Sequence, residues 1–151
     1  MKKLFLFVLF VVLAISCKST SNVSGNVSDI TEIDWKLILV QTDTREIIFD
    51  RRTLTTEDAR DIFTLRFDAE SISGTGAPNR YSAPYTLEDQ GINIMLMRST
   101  LMASLWQPEK LREQDFFIFM QNAYEWRLVD NNLEIHSRTE DGSKIVLVFS
   151  L

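Results

Sequence analysis

From Trp35 onward the chain alternates apolar and polar positions with a period of two, the signature of half-buried strands. Trp35, Leu37 and Leu39 form one face of a strand over Trp35–Val40. Glu46–Phe49 is a short strand candidate. Ile62–Asp68 sets Phe63, Leu65 and Phe67 against Thr64 and Arg66. Ser71–Gly74 and Arg80–Tyr85 flank a turn rich in Gly and Pro, and Ile92, Ile94 and Leu96 alternate with Asn93, Met95 and Met97. The last quarter reads as a three-stranded meander. Tyr124, Trp126 and Leu128 share a face, then Leu133 and Ile135, then Ile145, Leu147, Phe149 and Leu151, with turns at Asp130–Asn132 and at Asp141-Gly142.

One segment departs from this period. Pro108 followed by charged residues is a helix start, and Phe116, Phe119 and Met120 then fall on one face. A helix of about 14 residues over Pro108–Gln121 is expected from the helical period. The fold class that follows is mainly β: eight or so short strands in one antiparallel, barrel-like (lipocalin-like) or strongly curled sheet, with one α-helix plugging or covering an open end. Closure would remove exposed strand edges.

The N-terminus is of another kind. Lys2-Lys3 precede an unbroken apolar run from Leu4 to Ile15, the layout of a secretory signal. Ala14 and Ser16 are small, and Cys17, the only cysteine, follows directly. This resembles a bacterial lipobox, in which the cysteine is lipidated and becomes the new N-terminus. Ala14 stands where a lipobox usually has Leu; Leu13 lies one residue further back. Ordinary signal cleavage at the same bond, without the lipid, is the alternative. Lys18 after the cysteine, in place of Asp, favours the outer membrane where that sorting rule applies. The segment after Cys17 is rich in Ser and Asn, too polar to order itself by burial. The expected organisation is a signal peptide over 1–16, a lipidated Cys17 with a flexible tether over 17–32, and one domain over 33–151.

Composition excludes more than it assigns. The 151 residues are 45% hydrophobic and 25% charged, with net charge −5. Without the first 16 residues, which hold two lysines and no acid, the rest carries 14 basic and 21 acidic side chains, a net −7. That balance argues against a nucleic-acid partner. One Cys and one His leave no Cys- or His-based metal motif and no cofactor signature. Gly74-Thr75-Gly76-Ala77-Pro78-Asn79 has the outline of a phosphate loop, but Asn79 replaces the third Gly and Pro78 removes an N–H. It reads as a turn. Arg51-Arg52 reads as a solvated loop. His136 lies on a polar strand face with no nucleophile spaced to it, and no G-x-S-x-G elbow occurs. No catalytic residue is assigned, and the chain reads as non-enzymatic.

Three segments together resemble the META/HslJ-like domain family. Asp34-Trp35-Lys36-Leu37 is similar to its opening Trp-x-Leu strand. Ser73-Gly74-Thr75-Gly76-Ala77-Pro78-Asn79-Arg80-Tyr81, with the later Tyr85, is similar to its Ser-Gly…Gly-Cys-Asn-x-aromatic motif. Ser99-Thr100-Leu101-Met102-Ala103-Ser104, then Glu113-Gln114-Asp115-Phe116 and Met120, is similar to its Thr-x-Met-Ala-Cys and helical motif. Both family cysteines are absent, replaced by Ala77-Pro78 and Ser104. The resemblance implies a small barrel-like sheet around a helix, in which Trp35, Gly74, Gly76, Asn79, Tyr85, Thr100, Met102 and Phe116 shape turns and core. It further implies an envelope protein linked to stress resistance or secretion. The expected partners are the membrane, through the lipid, and an envelope protein. The rival function is a carrier of an apolar ligand or lipid inside the barrel, a rival that a solid interior of Phe63, Leu96, Phe116, Met120 and Trp126 would weaken.

Overall fold

The computed structural model describes residues 25–54, 61–103 and 107–151. The expected signal peptide, Cys17 and the tether as far as residue 24 lie outside the described residues, as does Ser104. Ten strands are described: β1 Trp35–Thr42, β2 Glu46–Ile48, β3 Thr64–Phe67, β4 Ser71–Thr75, β5 Arg80–Glu88, β6 Gly91–Ile94, β7 Arg98–Ser99, β8 Ala123–Val129, β9 Asn132–Arg138 and β10 Lys144–Ser150. Eight of them follow one another in chain order around a ring, β1-β3-β4-β5-β6-β8-β9-β10, and β10 returns to β1. Every pairing between these strands is antiparallel. β2 adds to β1, and β7 adds to β5. The up-and-down barrel expected from the period-two pattern is therefore present.

The helix α1, Glu113–Gln121, packs against β6 and β9 and turns Phe116 and Met120 into the barrel. Around them lie the buried rings of Trp35, Phe49, Phe63, Phe67, Trp126 and Phe149. Fully burying each such ring contributes about 1.5–3 kcal/mol. Phe63 sits between Phe49 and Phe116, with ring centroids at 5.5 and 5.0 Å.

Four expectations need correction. The helix is nine residues long, not about 14. Pro108–Lys110 form a separate 3-10 turn, and Leu111 and Arg112 are extended before α1 begins. Leu111 is buried, and the chain straightens to carry it inward. Phe119, expected on the inner face, is only half-buried.

In β1 the face breaks after Leu37. A register shift between Leu37 and Leu39 hands the next inward position to Val40, and Leu39 is left half-buried. A similar shift between Ala123 and Glu125 puts Tyr124 outside, under the Arg138 guanidinium, while Trp126 stays buried. Each bulge inserts one residue into the pleat and reverses the faces beyond it. Leu96 and Leu151 lie past the ends of β6 and β10, where the pleat no longer aims them inward, and both are exposed.

Arg51 is not solvated. Its guanidinium donates to the carbonyls of Leu37, Ile62 and Phe63 at 2.8, 3.0 and 3.4 Å, tying β1 to the approach of β3. Arg52 does remain exposed and pairs with Asp50.

The domain also begins earlier than residue 33. Val27–Asp29 form a 3-10 turn, Ile30 is fully buried, and Trp35 Nε1 donates to the Ile30 carbonyl at 3.0 Å. Thr31 bridges Phe67, and Glu32 N donates to the Phe67 carbonyl. Residues 27–32, expected as tether, are docked because Ile30 and the indole N–H of Trp35 give them an apolar and a polar anchor.

Candidate functional site: a polar junction beneath an apolar ledge

The turn between β4 and β5 is shaped by close approach. A Cβ at Gly74 would stand 2.1 Å from the Thr64 carbonyl, and a Cβ at Gly76 would stand 2.5 Å from the Glu113 carboxylate. Tyr81 fills the space beside Gly74 and donates its hydroxyl to the same Thr64 carbonyl at 2.7 Å. Burial holds the Tyr81 phenol well above its usual range. Gly76 N donates to the Asn79 carbonyl and Gly76 O accepts from Phe63 N, which pins the turn to β3.

Glu113, at the first turn of α1, reaches into this turn. Its Oε1 accepts from the N–H groups of Ala77 and Asn79, both at 2.6 Å, and its Oε2 accepts from Asn79 Nδ2 at 2.6 Å. Asn79 is buried and its amide is fully engaged. Its Nδ2 also donates to the Met102 carbonyl at 3.0 Å, and its Oδ1 accepts from Thr100 Oγ1 at 2.8 Å and Met102 N at 2.7 Å. Three separate pieces of chain therefore meet at one amide and one carboxylate. Charge-assisted bonds of this length are about twice as strong as neutral ones.

Gly76, Asn79, Thr100 and Met102 are brought together here, with Phe116 one turn along α1 beneath them. Gly74 lies at the rim. Trp35 and Tyr85 serve elsewhere: the indole anchors Ile30, and the Tyr85 hydroxyl donates to the Asp68 carbonyl at 2.9 Å. The hub is Glu113, which the motif contained but to which sequence reasoning gave no role. Its presence between the Thr100–Met102 segment and Phe116 in the motif was the available signal; the contact itself has no local mark.

The junction spends its polar atoms on its own hydrogen bonds, so its chemistry is structural. His136 pairs with Glu134 at 3.0 Å on the outer face of β9. Among the described residues, no three His, Cys, Asp or Glu side chains are grouped to hold a metal ion. A shallow cleft of about 300 Å³ lies outside the barrel, lined by Thr86, Glu88, Gly91, Ile92, Asn93 and Tyr124.

Above the junction runs a different surface. Leu96, Leu101 and Met102 are 77, 96 and 60% exposed, with Met95 beside them. This ledge is not held by burial. It is held by backbone bonds from Met95 N to Pro84 O and Thr100 N to Arg80 O, by β7 on β5, and by the two Asn79 bonds to Met102. The apolar tips are thus fixed in place while facing water.

A closed, eight-stranded antiparallel ring with one helix turned into it, and a Gly-rich turn locked to that helix, defines a class of small β-barrel domain. The chain belongs to the META domain family, whose model matches residues 28–149. Its fold is similar to the NMR structure of a protein from Burkholderia xenovorans, with a TM-score of 0.56, 16% identity, and 80% of this chain and 83% of that chain covered. It is also similar to the crystal structure of a DUF4847-family protein from Bacteroides vulgatus, with a TM-score of 0.52, 14% identity, and 80% and 93% covered. No curated protein matches the chain.

Proposed function

We propose that the protein is a non-enzymatic envelope lipoprotein that uses its META domain as an interaction module in stress resistance or secretion. Cys17 carries the lipid, and the anchor lies in the outer membrane. The observation that supports an interaction role is the ledge: Leu96, Leu101 and Met102 are exposed, and the Met102 backbone is fixed by two hydrogen bonds to buried Asn79. Exposed apolar groups gathered in one place mark contact surfaces. The carrier alternative is weakened by the interior, where Phe63, Phe116, Met120 and Trp126 are buried against one another; only Leu96 of the expected lining is outside.

The lipid is tested by metabolic palmitate labelling in the native host. Wild type should label and stay with the membrane, and Cys17→Ala should do neither; unchanged retention overturns the anchor. The interaction role is tested in the same host under envelope stress. A strain carrying Leu96→Glu with Leu101→Glu should behave as the deletion strain while keeping normal protein levels. Wild-type tolerance in that strain overturns the role of the ledge.

A further inference from the structure

The outer face beside the ledge has a charge pattern unlike the rest of the chain. In an antiparallel sheet, residues directly opposite each other share a face. The register pairs Thr75 with Arg80, Ser73 with Ser82, Ser71 with Pro84 and Ser82 with Arg98. Tyr81 and Ala83 point inward, so Arg80, Ser82 and Pro84 face solvent. Around β7, the outer face of β4 and of the start of β5 is therefore built of hydroxyls, Pro84 and two exposed arginines, with carboxylates at its margins: Asp68, which accepts from Ser73 Oγ, and Glu88 at the far end of β5.

Among the described residues, no carboxylate lies within ion-pair distance of Arg80 or Arg98. Among those residues Arg52, Arg112 and Arg127 each have one and Arg66 has two, while Arg45 and Arg138 resemble Arg80 and Arg98 in having none. Met95–Ala103 contains no acid, in a chain with 21. Leu96 and Leu101 flank Arg98 in sequence, Met95 N bonds the Pro84 carbonyl and Thr100 N the Arg80 carbonyl, so one short segment carries Arg98 and the apolar tips along the stretch of β5 that begins at Arg80.

We infer that this patch seats the domain on an anionic lipid surface. The inference rests on the reading of the ledge as a contact surface and names what it contacts. Its carrying argument is charge complementarity. Guanidiniums bind phosphates in bidentate fashion, and basic residues near an anionic leaflet are attracted to it. Leu96, Leu101 and Met102 then enter the boundary between headgroups and acyl chains, as the apolar side of an interfacial element does. A lipid surface takes guanidinium, hydroxyl and apolar tips together.

The whole chain is used for the test, with Cys17→Ser so that one introduced cysteine is the only thiol. Ala103→Cys places an environment-sensitive fluorophore beside the ledge; Glu140→Cys, in the β9–β10 hairpin, is the control. The proteins are reconstituted into vesicles of phosphatidylcholine alone, or of phosphatidylcholine mixed with phosphatidylglycerol. Flotation reads any association of this unlipidated chain with the vesicles; quenching by brominated acyl chains reads seating of the patch. The expected result is quenching at position 103, not 140, in anionic vesicles. That quenching falls to the control level in phosphatidylcholine alone and in Arg80→Glu with Arg98→Glu. An aqueous label at 103 in both lipids overturns the seating, while the reading of the ledge as a contact surface stands or falls with the stress phenotype of Leu96→Glu with Leu101→Glu. Quenching at 103 that ignores lipid charge or the two arginines also overturns it, as does a synthetic acidic amphipathic peptide that shifts the label without vesicles. Flotation in neither lipid also overturns the seating.

Discussion

Glu113 and Asn79 hold each other twice. The Asn79 backbone N–H donates to Oε1 and its side-chain amide donates to Oε2, both at 2.6 Å, across 34 residues of sequence. The pair fastens the start of α1 to the β4–β5 turn, and through the other end of the amide it fastens the ledge.

Glu113→Gln replaces one acceptor oxygen with a donor that faces N–H groups. Hydrogen bonds to a charged group contribute about 1.5–3 kcal/mol each, and partial rearrangement keeps one, so a loss of about 2–3 kcal/mol is expected in urea unfolding. Asn79→Ala should cost a similar amount, and the double variant less than the sum, because both disturb the bond between Asn79 Nδ2 and Glu113 Oε2. Additive losses would show that the two act separately.

The ledge should behave in the opposite way. Leu101→Glu and Leu96→Glu alter exposed side chains that pack on nothing the fold needs. Their urea midpoints should stay within about 0.5 kcal/mol of wild type, whereas Phe116→Ala should cost about 3–5 kcal/mol. A large loss at Leu101 would make the ledge a folding element and not a contact surface.

Ser137 is fully buried on β9, between Ala123 and Ile145 across the sheet, and its hydroxyl has no hydrogen-bond partner among the described residues. Burying an unpaired hydroxyl costs about 1–3 kcal/mol by mutational measure. Ser137→Ala should therefore unfold at the same temperature or higher. A clear fall in the midpoint would reveal a partner for that hydroxyl.

Tyr81 links stability to pH. Its folded-state pKa is raised by burial, so the folded protein keeps a proton that the unfolded chain releases at about pH 10. Its contribution is fully present below pH 10 and declines above it. Urea midpoints should fall as the pH passes 10, and Tyr81→Phe should flatten that fall. An identical slope in the variant would place the alkaline sensitivity elsewhere.

The barrel was legible wherever alternation ran unbroken. Leu133 and Ile135, and Ile145, Leu147 and Phe149, face inward as their period predicts. It was misread where one extra residue reverses the faces, at the bulges after Leu37 and Ala123, because a bulge leaves no mark in a hydrophobic pattern. The helix was read too long because Pro108 starts a 3-10 turn as readily as an α-helix. The docked residues 27–32 were hidden by their polarity, since a single Ile30 does the burying. Of the site, the glycines and Asn79 were visible as a motif, but the bond to Glu113 was not, because nothing local marks a contact between a turn and a distant helix. The unpaired state of Arg80 and Arg98 is likewise a property of register, not of sequence neighbours.

The docking of Ile30 also decides how the domain bears mechanical load. A pull on the N-terminus does not reach β1 first. It reaches Ile30, held by the Trp35 indole, and Thr31, which runs parallel to β3 at Phe67. The Thr31–Phe67 bridge and the bond from Glu32 N to the Phe67 carbonyl stand next in line, before β1. Tension from whatever holds the N-terminus is thus taken up by packed side chains before it reaches the barrel's closing seam between β1 and β10.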